Sequence, residues 1–170
     1  MQARRFLQPQ ACSFELSLRI RHPFMDPAVL SRALGLEPEC SFRVGDPRPP
    51  QSGLASVTVH AESYWLAVLD PSSWLTDVSF AARSTSALAH KNMGAAVARS
   101  LGLALSLSAM RLRSAHAALL NQIRSDGGQA SLLIALFPDA MSDFSLNPDV
   151  SRIFSELGVT LEFEFTGYRS

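Results

Sequence analysis

Four histidines, two cysteines and one run of charged residues in a proline-rich stretch are the side chains with chemical options in this 170-residue chain. His22, His60, His90 and His116 include no pair at i, i+4 and stand in no Cys-x-x-Cys context. A zinc site needs three or four converging ligands. The set that a fold could gather is Cys12, Cys40, His22 and His60, and ordinary boundary histidines are the simpler expectation. No metal and no cofactor is therefore expected. Two thiols are too few for a disulfide-built fold; two reduced thiols are the plainer expectation, with one bridge between Cys12 and Cys40 as the alternative. Asp139, Asp143 and Asp149 lack the alternate-position spacing and closing Glu of a calcium loop and read as solvated acids. The chain has no Gly-x-Ser-x-Gly elbow, no Walker loop and no Gly-x-Gly-x-x-Gly fingerprint. Gly127-Gly128 leads into a strand rather than a helix, so it is turn chemistry and not a phosphate cradle.

What remains is Ser41-Phe42-Arg43-Val44-Gly45-Asp46-Pro47-Arg48. It puts a guanidinium fork, a carboxylate and a flexible glycine on one surface loop, where binding residues concentrate. The candidate ligand- or partner-binding set is Arg43, Gly45, Asp46 and Arg48. His60 could join it from the next segment, and Trp74 could serve as a half-exposed interface anchor. The plainer reading is that Asp46 caps a turn and Arg43 pairs with it across the loop. Trp65, inside an apolar strand, is expected in the core, and core packing is the plainer reading for Trp74 too.

These residues need elements to hold them. Phe14, Leu16, Leu18 and Ile20 alternate with polar neighbours, which predicts a strand with one buried face, ended at His22-Pro23. Asp26-Pro27 opens a short helix and Gly35 closes it. Residues 37–53 predict a loop. Val57, Val59 and Tyr64–Leu69 predict strands, hairpin-paired around Glu62-Ser63. Residues 83–107 and 109–125 predict two helices or one long helix kinked near Gly102, closed by Asp126-Gly127-Gly128. Ser131–Phe137 is a wholly apolar run of central-strand type. Asn147-Pro148 opens a helix that Gly158 ends, and Val159–Phe165 alternates as the last strand. Asp26-Pro27…Leu34-Gly35 and Asn147-Pro148…Leu157-Gly158 share one grammar, which suggests two strand–helix halves.

This order predicts an α+β fold: a two-layer ferredoxin-like sandwich, a mostly antiparallel sheet with helices packed on one face. Residues 1–12 read as a flexible N-terminal segment and 13–168 as one domain. In that layout the first and last strands are neighbours, and Arg19 or Arg21 should pair with Glu162 or Glu164.

The alternating first strand, Asp26-Pro27, Leu34-Gly35-Leu36-Glu37-Pro38, Arg43-x-Gly45-Asp46-Pro47-Arg48, Tyr64-Trp65 and the closing Leu157-Gly158 helix and strand carry a resemblance. The chain resembles, over roughly 13–168, an uncharacterised bacterial domain-of-unknown-function family, the one numbered 4279. Its middle, 75–110, is longer and richer in Ala and Leu than that family's. The resemblance implies a small bacterial cytoplasmic α+β domain and no established activity.

Composition narrows the function classes. Fifteen basic residues balance fifteen acidic ones, which argues against a nucleic-acid partner. The most apolar run, Leu101–Met110, is about half the length of a membrane span, and no secretory signal is visible, so a cytoplasmic location without membrane contact is expected. The chain is 47% hydrophobic and 18% charged, the latter low against roughly 25% for ordinary domains, so some apolar surface needs covering. Ala95–Met110 is apolar nearly all round, which suggests self-association through 95–110. The expected function is a non-catalytic protein-interaction module, immunity-like by analogy. The alternative is a small-ligand binder or enzyme built on the 42–48 loop.

Overall fold

The structure is a computed structural model that describes residues 14–48, 58–71, 101–136 and 146–165. The start at 1–12, Cys12, Trp74 and the stretch 83–100 lie outside the described residues.

Strand β1 (Phe14–His22) turns Leu16, Leu18 and Ile20 inward, none more than 2% exposed, and Arg19 and Arg21 to the opposite face. Helix α1 (Pro27–Leu34) follows, then β2 (Cys40–Phe42) and β3 (Ser63–Leu69). Helix α2 (Leu101–Ser125) leads into β4 (Gln129–Leu136), and helix α3 (Pro148–Leu157) into β5 (Val159–Phe165). Over the described residues this is an α+β fold with a five-stranded mixed sheet in the order β2-β3-β1-β4-β5. The pairs β2–β3, β3–β1 and β1–β4 are antiparallel, and β4–β5 is parallel.

One face of the sheet holds the core. Leu18, Ile20, Trp65, Leu132 and Ile134 meet Leu30, Leu105, Leu112, Ile123 and Phe154 from the helices. The indole N–H of Trp65 donates to Ser31 Oγ at 3.0 Å, which ties α1 to that face and satisfies the one polar atom of a fully buried ring. Helices α1 and α3 are capped alike, as their shared grammar predicts. Asp26 Oδ1 accepts from Ala28 N at 2.9 Å and Asn147 Oδ1 from Asp149 N at 2.8 Å. Gly35 and Gly158 end them in left-handed backbone, at φ 66° and 67°. The sheet does not repeat with the caps: α3 joins adjacent strands, whereas β3 lies between β1 and β2.

Several expectations are corrected. The last strand is not beside the first, because β4 lies between them. A helix between β4 and β5 makes a crossover, and a crossover brings the next strand back parallel. β4, unbroken apolar sequence from Leu132 to Leu136, suits the interior position, and the alternating β5 suits the edge. The charge pair nevertheless forms. Arg19 sits opposite Ser131 on β4, and a serine is short enough for the guanidinium to pass over it to Glu162 on β5. Arg21 turns instead to Glu62, at 3.8 Å. The supposed loop 37–53 contains β2, which pairs with β3 through Cys40↔Leu66 and Phe42↔Tyr64. No hairpin turns at Glu62-Ser63 among the described residues: Val59 bridges to Pro47, and β3 pairs with β2 and β1. Helix α2 runs unbroken from Leu101 to Ser125. Its Ala104, Leu105, Leu107, Ser108 and Ala109 are at most 7% exposed in the chain's own core, while Leu101 and Leu103 are half-buried and Met110 is 48% exposed; 95–100 lies outside the described residues.

His22 ends β1 on the core face, 1% exposed. Its Nδ1 accepts from the backbone amides of Phe24 (3.2 Å) and Met25 (2.9 Å), closing the turn into α1. Gly128, where α2 turns into β4, lies hard against the ring. A Cβ there would stand 2.5 Å from His22 Cδ2 and 2.9 Å from both Ile123 Cγ2 and the Ile123 carbonyl oxygen.

Two stability measurements follow. Gly128→Ala should cost about 1–3 kcal/mol in denaturant unfolding through overpacking, whereas Gly102→Ala, with open space around its Cβ, should be neutral or stabilise by up to about 1 kcal/mol. The Ser131 hydroxyl, then Arg19, hold the Glu162 carboxyl below its ordinary 4.5. That stabilisation is present above the ordinary value and is lost as pH falls through the depressed one. Glu162→Gln should therefore lower stability at pH 7 by about 0.5–1 kcal/mol, the range for a solvent-screened pair, with the difference closing in acid.

Candidate functional site

The cleft lies between α1 and the strand-loop segment that follows it. Asp26, Pro27, Ala28, Ser31 and Arg32 form one wall, and Glu37, Pro38, Ser41, Phe42, Arg43 and Asp46 the other, around about 460 Å³. Each wall follows from local sequence. Asp26-Pro27 sets the start of α1, and successive turns of that helix present Ala28, Ser31 and Arg32. On the other side the turn at 43–46 is closed twice: Arg43 N donates to Asp46 Oδ2 (2.7 Å) and Asp46 N to the Arg43 carbonyl (3.1 Å). Gly45 takes φ 86°, which an L side chain would resist.

A short ladder anchors this turn. Gly45 N donates to the His60 carbonyl (2.8 Å), His60 N to the Asp46 carbonyl (3.0 Å) and Arg48 N to the Thr58 carbonyl (2.8 Å). Val44 N donates to the buried Ser63 Oγ at 3.0 Å. The His60 ring stacks on Phe42 at 3.6 Å, and Phe42 stacks on Tyr64 at 5.0 Å. Burial pushes the Tyr64 phenol up, against a smaller opposing pull from Arg19.

Arg43 spans the cleft. Its Nη2 meets Asp26 Oδ2 at 2.8 Å, while the other oxygen of Asp26 caps α1. So Asp46 does cap the turn, but the guanidinium pairs with Asp26 and not with Asp46. The side chains of Arg43 and Asp26 are 60% and 40% exposed. Arg32 anchors Nε on the Ala28 carbonyl (3.3 Å) and extends along the same wall.

Of the residues singled out in the sequence, the fold brings Arg43 and Asp46 into the cleft, with Gly45 shaping the turn between them. His60 is outside the lining, stacked on Phe42, and Arg48 lies beyond it on the ladder. Sequence reasoning missed Asp26, Ser31, Arg32 and Glu37. Asp26 was legible as a helix cap, but nothing local signals that its second oxygen would meet a residue seventeen positions on. Of the zinc grouping, Cys12 lies outside the described residues, and Cys40, His22 and His60 do not converge among the described ones. Cys40 is an exposed free thiol, and among the described residues no group of three or more potential ligands converges. His22 is unsuited to coordination, since Nδ1 already accepts two amides and Nε2 must carry the proton. Asp149 pairs with Arg152 on α3 at 2.9 Å, and Asp139 and Asp143 lie outside the described residues.

Chemically, the cleft offers charge and hydrogen bonds. Ser31 Oγ is committed to the Trp65 indole, and among the described residues no cleft serine is hydrogen-bonded to a histidine. No helix among the described residues is long and apolar enough to cross a membrane. No family model, no curated protein and no solved structure matches the chain.

The two duties of Asp26 can be separated. Asp26→Ala removes the cap and should cost about 1 kcal/mol. Asp26→Asn keeps a capping oxygen, loses only an exposed ion pair and should cost under about 0.5 kcal/mol. Thermal unfolding of both, with and without Arg43→Ala, checks the ordering, and the coupling to Arg43 should be confined to the charge.

Proposed function

We propose that the chain is a non-catalytic interaction module that binds a protein partner at the cleft between α1 and β2, with Arg43 as the central contact. The observation that carries this reading is the Arg43–Asp26 pair. It is an ion pair across an open cleft, held by two well-anchored walls yet half exposed, so a partner carboxylate or backbone carbonyl can take the free guanidinium N–H groups. Catalysis draws on groups preorganised away from water, where charges act strongly. The charges here face solvent, which suits recognition better than chemistry. The balance of fifteen basic and fifteen acidic residues supports a protein partner over nucleic acid.

The first four strands run in the order β2-β3-β1-β4 with antiparallel neighbours, which supports a ferredoxin-like sandwich extended by α3 and β5. The resemblance to the bacterial family numbered 4279, a cytoplasmic setting and an immunity-like role belong to the same proposal. A small-ligand binder is the second reading. It is favoured by a volume within the roughly 300–1,000 Å³ range of ligand pockets and weakened by the exposure of the lining charges.

Affinity capture from lysate of the protein's own source, with the intact tagged chain, tests the proposal. Arg43→Glu should weaken recovery of a stoichiometric partner on the order of tenfold, while Arg113→Glu, an equal charge change on the exposed side of α2, should leave it intact. Equal recovery with both variants sinks the cleft as the contact surface.

A further inference from the structure

His22 closes the turn that carries Asp26, and it does so in a way that protonation must undo. Its Nδ1 accepts from Phe24 N and Met25 N. A ring nitrogen that accepts carries no proton, so the neutral ring bears its hydrogen on Nε2. That Nε2 is buried and has no hydrogen-bond partner. The ring has little room to turn: Gly128 lies against Cδ2, and the Phe24 ring stands edge-on at 4.7 Å. An imidazolium would carry a proton on Nδ1 as well. That proton would point at two N–H donors, and both bonds would break. The protonated ring and this turn exclude each other.

The groups around the ring offer limited compensation. From the α2–β4 turn, Asp126 favours the charged form. From β3, the cross-strand neighbour is the uncharged Ser63. The first turn of α1 contains no acid, and its cap Asp26 is occupied by Ala28 N and Arg43. Arg21 points to the opposite face, toward Glu62.

We infer that His22 is a proton-operated latch on the cleft: neutral, it holds the Pro23–Met25 turn that sets Asp26 against Arg43, and protonated, it releases that turn and the ion pair with it. Burial lowers the His22 pKa, and Asp126 offsets part of the effect. The released form therefore binds the proton more tightly than the latched form. The latch has its full strength above the ordinary histidine value of 6.5 and loses it progressively as pH falls from there through the lowered value. The consequence for partner binding rests on the interaction reading; the latch itself is measured without a partner.

The test is NMR on the full chain from pH 7.5 to 5, for the native sequence and His22→Asn. Asparagine can offer Oδ1 to a following backbone amide but does not titrate. In the native chain, His22 should be the Nε2–H tautomer at pH 7.5. Protection of the Phe24 and Met25 amides, corrected for intrinsic exchange, should fall as pH drops below about 6.5, by up to about tenfold per pH unit until the lowered His22 value is reached, with the Asp26 carboxyl shift changing in step. The Leu18 and Leu132 amides in the interior strands should keep their protection, and His22→Asn should show no such pH dependence. Constant protection at Phe24 and Met25, the Nδ1–H tautomer at neutral pH, or loss of Leu18 and Leu132 protection in parallel would each overturn the latch. The native titration decides the matter even if His22→Asn does not fold. Failure of Arg43→Glu to weaken partner capture would leave the latch standing, so the two proposals fail separately.

Discussion

The His22 ring sits where two chain reversals meet. On one side it holds the turn from β1 into α1 by accepting two backbone amides. On the other it packs on Gly128, where α2 hands the chain to β4. Both strands that flank these reversals lie in the interior of the sheet and pair with each other. The direction in which α1 and α2 leave the sheet is therefore set at one place, by a side chain that must be both buried and an acceptor. A hydrophobic residue could fill the space but would take away the acceptor that the Phe24 and Met25 amides share in this part-buried turn.

From that junction the cleft follows. The turn delivers Asp26 to the head of α1, where one carboxylate oxygen caps the helix and the other receives Arg43. The far wall is built independently, by β2 pairing on β3 and by the ladder that ties 45–48 to 58–60. Two walls with separate anchors, joined by one exposed ion pair, make a surface that keeps its shape while its charges remain available to an incoming group. The energetics agree with this division. The anchors are several backbone and side-chain hydrogen bonds acting together with aromatic stacking, whereas the pair across the cleft is solvent-screened and worth at most about 1 kcal/mol.

The opposite face of the sheet carries a different polar device. Arg19, passing over Ser131 to Glu162, links three strands that are not all neighbours in sequence. It marks the register of β5, the strand whose position is least constrained by apolar burial, since Glu164 and Phe165 are exposed and the edge is formed by a single parallel pairing. Shifting β5 by one residue would turn Glu162 to the core face, a costly outcome for a carboxylate.

Local patterns determined a great deal of this protein. Period-two alternation located β1 and β5, an apolar run located β4, and cap-Pro-helix-Gly grammar located α1 and α3, because each pattern reflects a backbone requirement satisfied within a few residues. The buried Trp65 and the Asp46-capped turn were legible for the same reason. Strand order was not, since alternation says which face is buried and nothing about which strand lies alongside, so β5 was expected beside β1 until the crossover through α3 put β4 between them. The three-residue β2 escaped notice because its pairing comes from β3 and not from its own proline-flanked sequence. Arg43 and Asp46 could be nominated from residue type, but the partner of Arg43, the exclusion of His60 from the cleft and the burial of Ala104–Ala109 within the chain itself were decided only by tertiary structure. Each depends on distances between segments far apart in sequence, which no local propensity encodes.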